Sequence, residues 1–254
     1  MEKMYHIGID DSHGAKYVIL PGDPGRVEKI ASYLDDARFL GQNREYTSHI
    51  GTLAGEKVLV MSSGMGGPSM AIGLEELYQT GIRTAIRIGT CGGIALPVTG
   101  GDLVIANAAI RMEGTTREYV PIEFPAVSSI EVTNALIESA KRLEAKYHVG
   151  VVHCKDSFFG QHDPDRMPIG YELNNKWEAW KKANTLGSEM ESAALFVVSQ
   201  VLGIRAGCVL NVVWNKDREK LGMSNPESHD TTLAVRSAVE AIRVLIETDR
   251  ENDR

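Results

Sequence analysis

The sequence predicts an α/β fold in a single domain spanning residues 1–254, and three observations carry that expectation. Short apolar runs alternate with helix-period segments along the whole chain. Glycine- and proline-rich turns sit where strands feed helices, as in Pro21-Gly22-Asp23-Pro24-Gly25-Arg26. No low-complexity linker and no internal repeat interrupts the 254 residues.

Composition narrows the function classes. A hydrophobic content of 43% with 24% charged residues is that of a soluble globular protein. The net charge of -7 argues against a nucleic-acid groove, which needs a clustered basic surface, but leaves room for a local anion site built from a few arginines. Cys91, Cys154 and Cys208 are scattered, with no C-x-x-C pair, so neither a disulfide framework nor a zinc site is expected and a reducing cytoplasm fits. The first ten residues hold no apolar core of a signal peptide, and no apolar run approaches membrane-spanning length.

Taken in order, the chain opens on a short apolar lead-in carrying His6, which at such a position reads as a surface or edge residue. Residues 17–20 form a buried strand that runs into the Pro21–Arg26 turn. There Asp23 serves as N-cap and Pro24 as the first helical residue, with the helix extending to about Asp36. Gly22 permits close backbone approach, and the helix start offers free N–H groups to an anion. The spacing is not that of a P-loop. Residues 38–53 read as paired strands with Asn43-Arg44-Glu45-Tyr46 in their path, and residues 57–62 as a returning strand after Ala54-Gly55-Glu56.

Ser63-Gly64-Met65-Gly66-Gly67-Pro68-Ser69 opens a helix over residues 68–80. Its G-x-G start lacks the third glycine of a dinucleotide fingerprint, so no nicotinamide cofactor is expected. Residues 84–88 form a buried strand that delivers Arg87 to the loop Gly89-Thr90-Cys91-Gly92-Gly93. A guanidinium in an apolar strand demands a partner, either an anionic ligand or a structural carboxylate such as Glu45.

A strand over 103–109 is followed by a polar, proline-containing stretch to Ser128, a helix over 129–146 and a strand over 148–153. Asp163 to Tyr171 is a charged, prolyl loop, either a lid or merely solvated. A helix over 173–182 carries Trp177 and Trp180, a spacing typical of core packing. A helix to Leu202, a strand over 205–213, a helix over 230–247 and a polar tail complete the chain.

Gly187-Ser188-Glu189-Met190-Glu191-Ser192 precedes the helix to Leu202. Its two acids have two available roles. One is to cap the helix, as S/T-x-x-E patterns do. The other is to accept hydrogen bonds from a diol such as neighbouring ribose hydroxyls.

Five motifs in order, Pro21-Gly22-Asp23-Pro24-Gly25-Arg26-Val27, Asn43-Arg44-Glu45, Gly64-Met65-Gly66-Gly67-Pro68-Ser69, Arg87-Ile88-Gly89-Thr90 and Glu189-Met190-Glu191, resemble the bacterial nucleoside phosphorylase family. The resemblance covers His6 to about Glu247. It implies a three-layer α/β/α fold around a mixed, barrel-like central sheet, assembled as hexamers built of dimers that share active sites. Phe124-Pro125-Ala126-Val127 and Gly160-Gln161 are similar to the pyrimidine-specific members, so the implied substrates are uridine and inorganic phosphate. The purine-specific members carry an aspartate near the stretch that here reads Val212-Val213-Trp214-Asn215.

By the same resemblance, Gly22, Arg26, Arg87 and Thr90 bind phosphate, and Arg44 completes that site from a neighbouring subunit. Met190 and Glu191 hold the ribose, with the neighbour's His6 on the 5′-hydroxyl. Phe158, Gln161, Arg166 and Val213 form the base site. Glu45, Met65 and Ser69 match positions where some members bind potassium, and no other cofactor is implied. One departure concerns the base site. Family members place an arginine two residues after the glutamine, where this chain has Asp163; Arg166 or His162 then fills the role. A purine nucleoside phosphorylase, a nucleosidase and a non-catalytic nucleoside-binding protein are the alternatives.

Overall fold

The computed structural model describes residues 2–252. In chain order its strands are β1 (Tyr17–Pro21), β2 (Asp35–Asn43), β3 (Tyr46–Leu53), β4 (Glu56–Met61), β5 (Thr84–Gly93), β6 (Leu103–Met112), β7 (Ala126–Val127), β8 (Tyr147–Lys155), β9 (Gly187–Glu189) and β10 (Arg205–Asn215). Its helices are α1 (Val27–Ala31), α2 (Gly67–Gln79), α3 (Ile130–Arg142), α4 (Phe158–His162), α5 (Gly170–Lys182), α6 (Ser192–Leu202), α7 (Lys216–Lys220) and α8 (Thr232–Asn252).

All ten strands join one mixed sheet. The path β10-β6-β8-β9-β5 closes on itself, because β10 also pairs with β5 in parallel from Arg205↔Thr84 to Val212↔Cys91. From that five-stranded barrel the arm β1-β4-β3-β2 extends off the other edge of β5. The central strands are near-continuous apolar runs because both faces are covered. Alternate residues of β1 enter two cores. Val18 and Leu20 pack with α2 and α6 through Leu74, Leu77 and Phe196. Ile19 packs with α1, α3 and α8 through Ile30, Leu136 and Ile242. These are the three layers the resemblance implies, and the barrel-like sheet is present. None of the described helices is long and apolar enough to cross a membrane.

Several boundaries differ from the sequence reading. The helix expected to reach Asp36 is a 3-10 turn over Pro24–Arg26 followed by α1, which stops at Ala31. Ser32 ends it, its hydroxyl donating back to the Lys29 carbonyl at 2.7 Å. The chain then turns tightly against β3, where a side chain at Gly51 would start 2.6 Å from Leu34 Cβ. The stretch from Gly89 to Gly93, expected as a loop, continues β5, since β10 and β9 supply partners on its two sides. The expected helix over 129–146 ends at Arg142, and the strand after it begins at Tyr147. The polar tail is helical to Asn252, continuing α8. Its last two positions, Asp253 and Arg254, lie outside the described residues, as does Met1.

Candidate active site

The cleft that matters opens at the carboxyl end of β5, where β1, β9, β10 and the loop before α2 converge. Its volume is about 790 Å³. Arg87 forms its floor. The side chain is only 4% exposed and runs along β5 above Gly89, where a Cβ would sit 2.8 Å from Nη2. Gly89 is therefore the residue that makes room for the guanidinium.

Two carboxylates hold that cation. Arg87 Nη2 donates to Glu191 Oε2, and Nε lies 3.4 Å from Glu189 Oε2, within ion-pair range though not aligned as a hydrogen bond. Burial opposes the charge, but Glu191 first and Glu189 second outweigh it and keep the guanidinium protonated. The structural carboxylates are thus these two rather than Glu45. Nη1 makes no hydrogen bond among the described residues, and it lies 3.7 Å from where a Cβ at Gly22 would stand. A buried N–H aimed at a bare glycine backbone beside a cavity is a built-in anion donor.

The two acids of the Glu189-Met190-Glu191 motif divide the two roles open to them. Glu189 caps α6: its carboxylate accepts from the Glu191 and Ser192 amides, each at 2.9 Å, and from the Ser192 hydroxyl. Glu191 makes no cap and faces the cleft instead. It accepts from Gly66 N–H at 2.6 Å, which ties the glycine-rich loop before α2 to the acid.

Gly22, Arg26, Thr90, Met190, Phe158 and Val213 also line the cleft. Asp23 rigidifies the first turn by accepting from Gly25 N–H at 2.8 Å. His6 and Arg44 do not line it. Arg44 projects from the two-residue turn of the β2–β3 hairpin with φ at 52°, its guanidinium over the Tyr5 ring. His6 pairs with Glu76 on α2, Nδ1 to Oε1 at 2.6 Å.

Glu45, Met65 and Ser69 come together at the rim. Glu45 Oε1 and the Ser63 carbonyl lie 2.7 and 2.6 Å from Ser69 Oγ. This set of carboxylate, hydroxyl and carbonyl oxygens is chemically suited to a hard cation such as potassium.

The base-site residues separate. Phe158 and His162 flank the cleft, their rings 4.2 Å apart, with His162 stacked on Trp214. Burial lowers the His162 pKa to about 4, with help from Lys155 and Lys216, so its imidazole is neutral. Gln161 lines an adjoining cavity of about 380 Å³. Arg166 reaches neither. It is 63% exposed, paired with Asp163 at 3.1 Å and lying over Phe159. The expectation that Arg166 belongs to the base site is not met in this conformation, because the neighbouring aspartate satisfies it on the surface. Trp177 and Trp180 are half-buried around His153 rather than in a core.

Lys155 escaped the sequence reading. It is 5% exposed, lies at the end of β8 and lines both cavities. Its signal was weak, because the strand read over 148–153 stopped two residues short of it, whereas Arg87 lay inside the apolar strand read over 84–88.

The fold and this site define a class. Residues 16–247 match the phosphorylase superfamily model, and the chain belongs to that family. Among its relatives, uridine phosphorylase from Treponema pallidum is 51% identical over 96% of this chain and 95% of its own. Uridine phosphorylase from Escherichia coli is 39% identical over 96% and 98%. Guanosine phosphorylase from Halorubrum lacusprofundi is 34% identical over 85% of each.

Proposed function

We propose that this protein cleaves uridine with inorganic phosphate to give uracil and ribose 1-phosphate, reversibly. The observation that carries the reading is Arg87, a buried cation held by two carboxylates with one N–H aimed at Gly22 on the cleft. Arg87, Arg26, Thr90 and the first turn after Gly22 orient the phosphate dianion. A phosphate oxygen bonds to C1′ of the ribose as the bond from C1′ to N1 of the base breaks. The electron pair leaves with the base, and uracil then takes a proton from solvent. Glu191 accepts from the ribose hydroxyls and stabilises the sugar as it gains positive charge. Phe158 packs on the base and Gln161 hydrogen-bonds its edge.

The purine alternative has little support here. The first aspartate after β10 is Asp217, which is bound to Lys181 at 3.1 Å and does not line the cleft. Two copies of the chain complete each site, with Arg44 and His6 arriving from a neighbour in a hexamer of dimers. That reading is supported by two exposed apolar side chains, Met65 on the cleft at 84% and Tyr5 beneath Arg44 at 75%. A potassium ion at Glu45, Ser69 and the Met65 backbone would bind at the rim and supply fixed positive charge between the two copies. The protein works in the cytoplasm, where its three buried thiols stay reduced.

The test is a panel of nucleosides with and without phosphate. Uracil is expected from uridine only when phosphate is present. Faster release of hypoxanthine from inosine would transfer the assignment to purines, and phosphate-independent release would make the protein a nucleosidase.

A second expected result concerns the base end. Gln161→Ala should weaken uridine binding and turnover together. Arg166→Ala should change both by no more than about twofold, as for other exposed ion pairs. A tenfold loss of turnover in the Arg166 variant would show that its loop closes over the base.

A further inference from the structure

The base subsite loses electron-poor surroundings if Arg166 stays on the surface, yet the departing uracil carries negative charge. Lys155 is the buried cation closest in the fold to that need. It forms no ion pair among the described residues; burial lowers its pKa, and the nearby Glu189 opposes that shift. Its ammonium instead donates to Ser188 Oγ at 3.0 Å and approaches the Glu189 carbonyl at 3.4 Å. The Ser188 hydroxyl in turn donates to Gln161 Oε1 at 2.6 Å. His153 Nδ1, 3.0 Å from the same Ser188 oxygen, supplies the remaining donor. Burial lowers the His153 pKa to about 4, so this ring is neutral and carries one N–H.

With Gln161 Oε1 turned to Ser188, one assignment of hydrogens satisfies the cluster, the His153 proton lying on Nδ1 rather than on Nε2, which is 3.2 Å from Met112 Sδ. Ser188 Oγ accepts from Lys155 and from His153, which commits its own proton to Gln161. With Oε1 occupied, Gln161 turns its Nε2 group the other way. Nε2 lies 4.0 Å from where a Cβ at Gly92 would stand, and Gly92 lines the nucleoside cleft. The amide therefore presents a donor, polarised through two hydrogen bonds by a buried ammonium, to the side where a carbonyl oxygen of the base gains charge.

We propose that Lys155 is the cationic positioning residue of the base subsite, acting through Ser188 to set and charge-assist the Gln161 amide. The assignment rests on the phosphorolysis reading above, in which Gln161 meets the leaving base. Lys155 thereby occupies the electrostatic role that the family resemblance gives to an arginine at the position of Asp163.

The test is steady-state kinetics on the full-length protein and on Lys155→Met, Lys155→Arg, Ser188→Ala, Gln161→Ala and the Lys155→Met/Gln161→Ala double variant. Circular dichroism establishes that each is folded. Wild-type protein is assayed first on the nucleoside panel, and the nucleoside it cleaves is used throughout, so a wrong substrate reading is seen separately from a wrong role for Lys155. Lys155→Met should lower kcat by about 10- to 100-fold, the scale of a charge-assisted hydrogen bond, while KM for phosphate stays within about twofold. Lys155→Arg should recover part of that loss. Ser188→Ala, which leaves the lysine in place, should reproduce most of it. The double variant should be no slower than Gln161→Ala alone by more than about twofold, because residues acting as one unit are not additive.

Three results overturn the proposal: full additivity in the double variant, an equal loss in the phosphate KM, or a Ser188→Ala enzyme of wild-type kcat. If Lys155→Met does not fold, the Ser188→Ala and Gln161→Ala pair, with their double variant, decides between coupled and independent action by the same criterion.

Discussion

Replacing Arg87 with alanine is expected to remove most phosphorolysis and to destabilise the protein at once. The phosphate loses its most buried donor, which should cost about 2–4 kcal/mol in transition-state stabilisation. Glu189 and Glu191 lose the cation they share, and breaking a buried pair by removing one partner costs about 3–5 kcal/mol. Lysine is not a remedy. It has no planar fork to meet two carboxylates while directing a further N–H toward Gly22. The check is the phosphate dependence of turnover together with thermal unfolding, measured on the same folded preparation. A variant with unchanged phosphate kinetics and lowered stability would mean that Arg87 serves the fold alone.

Glu191→Gln separates the two contributions further. The amide oxygen still accepts from Gly66 N–H, so the loop before α2 stays tied, but the bond from Arg87 Nη2 and the negative charge opposite the sugar are both lost. Turnover is expected to fall by about 10²–10³-fold, with a smaller effect on uridine binding, because the charge matters most when the ribose is cationic. The same position reports on assembly. Protomers carrying Glu191→Ala and protomers carrying His6→Ala are each inactive if the neighbour's His6 completes the site. Mixed with subunit exchange, they regain activity, since one site of a mixed dimer is intact. Exchange without recovery argues that each protomer works alone.

The residues proposed for the anion end stand out in the sequence, and those proposed for the base end much less so. Arg87 stood out because a guanidinium in an apolar strand is too costly without a purpose. Gly22 stood out because it opens a helix turn. The residues alone did not divide the labour between Glu189 and Glu191, since two acids bracketing a methionine fit a cap and a ligand equally well; only the family resemblance put Glu191 on the ribose. Only the backbone at Glu191, turning out of β9 into α6, sends one carboxylate down onto Ser192 and the other toward Gly66.

Lys155 was hidden for a different reason. Its value comes from Ser188 and Gln161, which are 33 and 6 positions away and meet only because β8 pairs with β9 and α4 folds back beside them. The short length of α1 was also illegible, because Ser32 ends it through a local bond that helix periodicity cannot register. The extension of β5 to Gly93 was missed because three glycines in its last five residues look like a loop until strands on both sides are known.

The closure of β10 onto β5 gives the barrel no frayed end from which to unzip. Amide hydrogens along β5 from Arg87 to Cys91, held in ladders, are thereby expected to exchange with deuterium among the slowest in the molecule. α4 and the 3-10 turn over Pro164–Arg166 have no strand ladder to brace them: they are five and three residues long, and α4 is held from outside by the Ser188–Gln161 and Lys216–His162 hydrogen bonds. They exchange through small, frequent openings. The two sides of one cleft are thus expected to keep different clocks, the β5 side exchanging slowly and the side carrying Phe158 and His162 quickly.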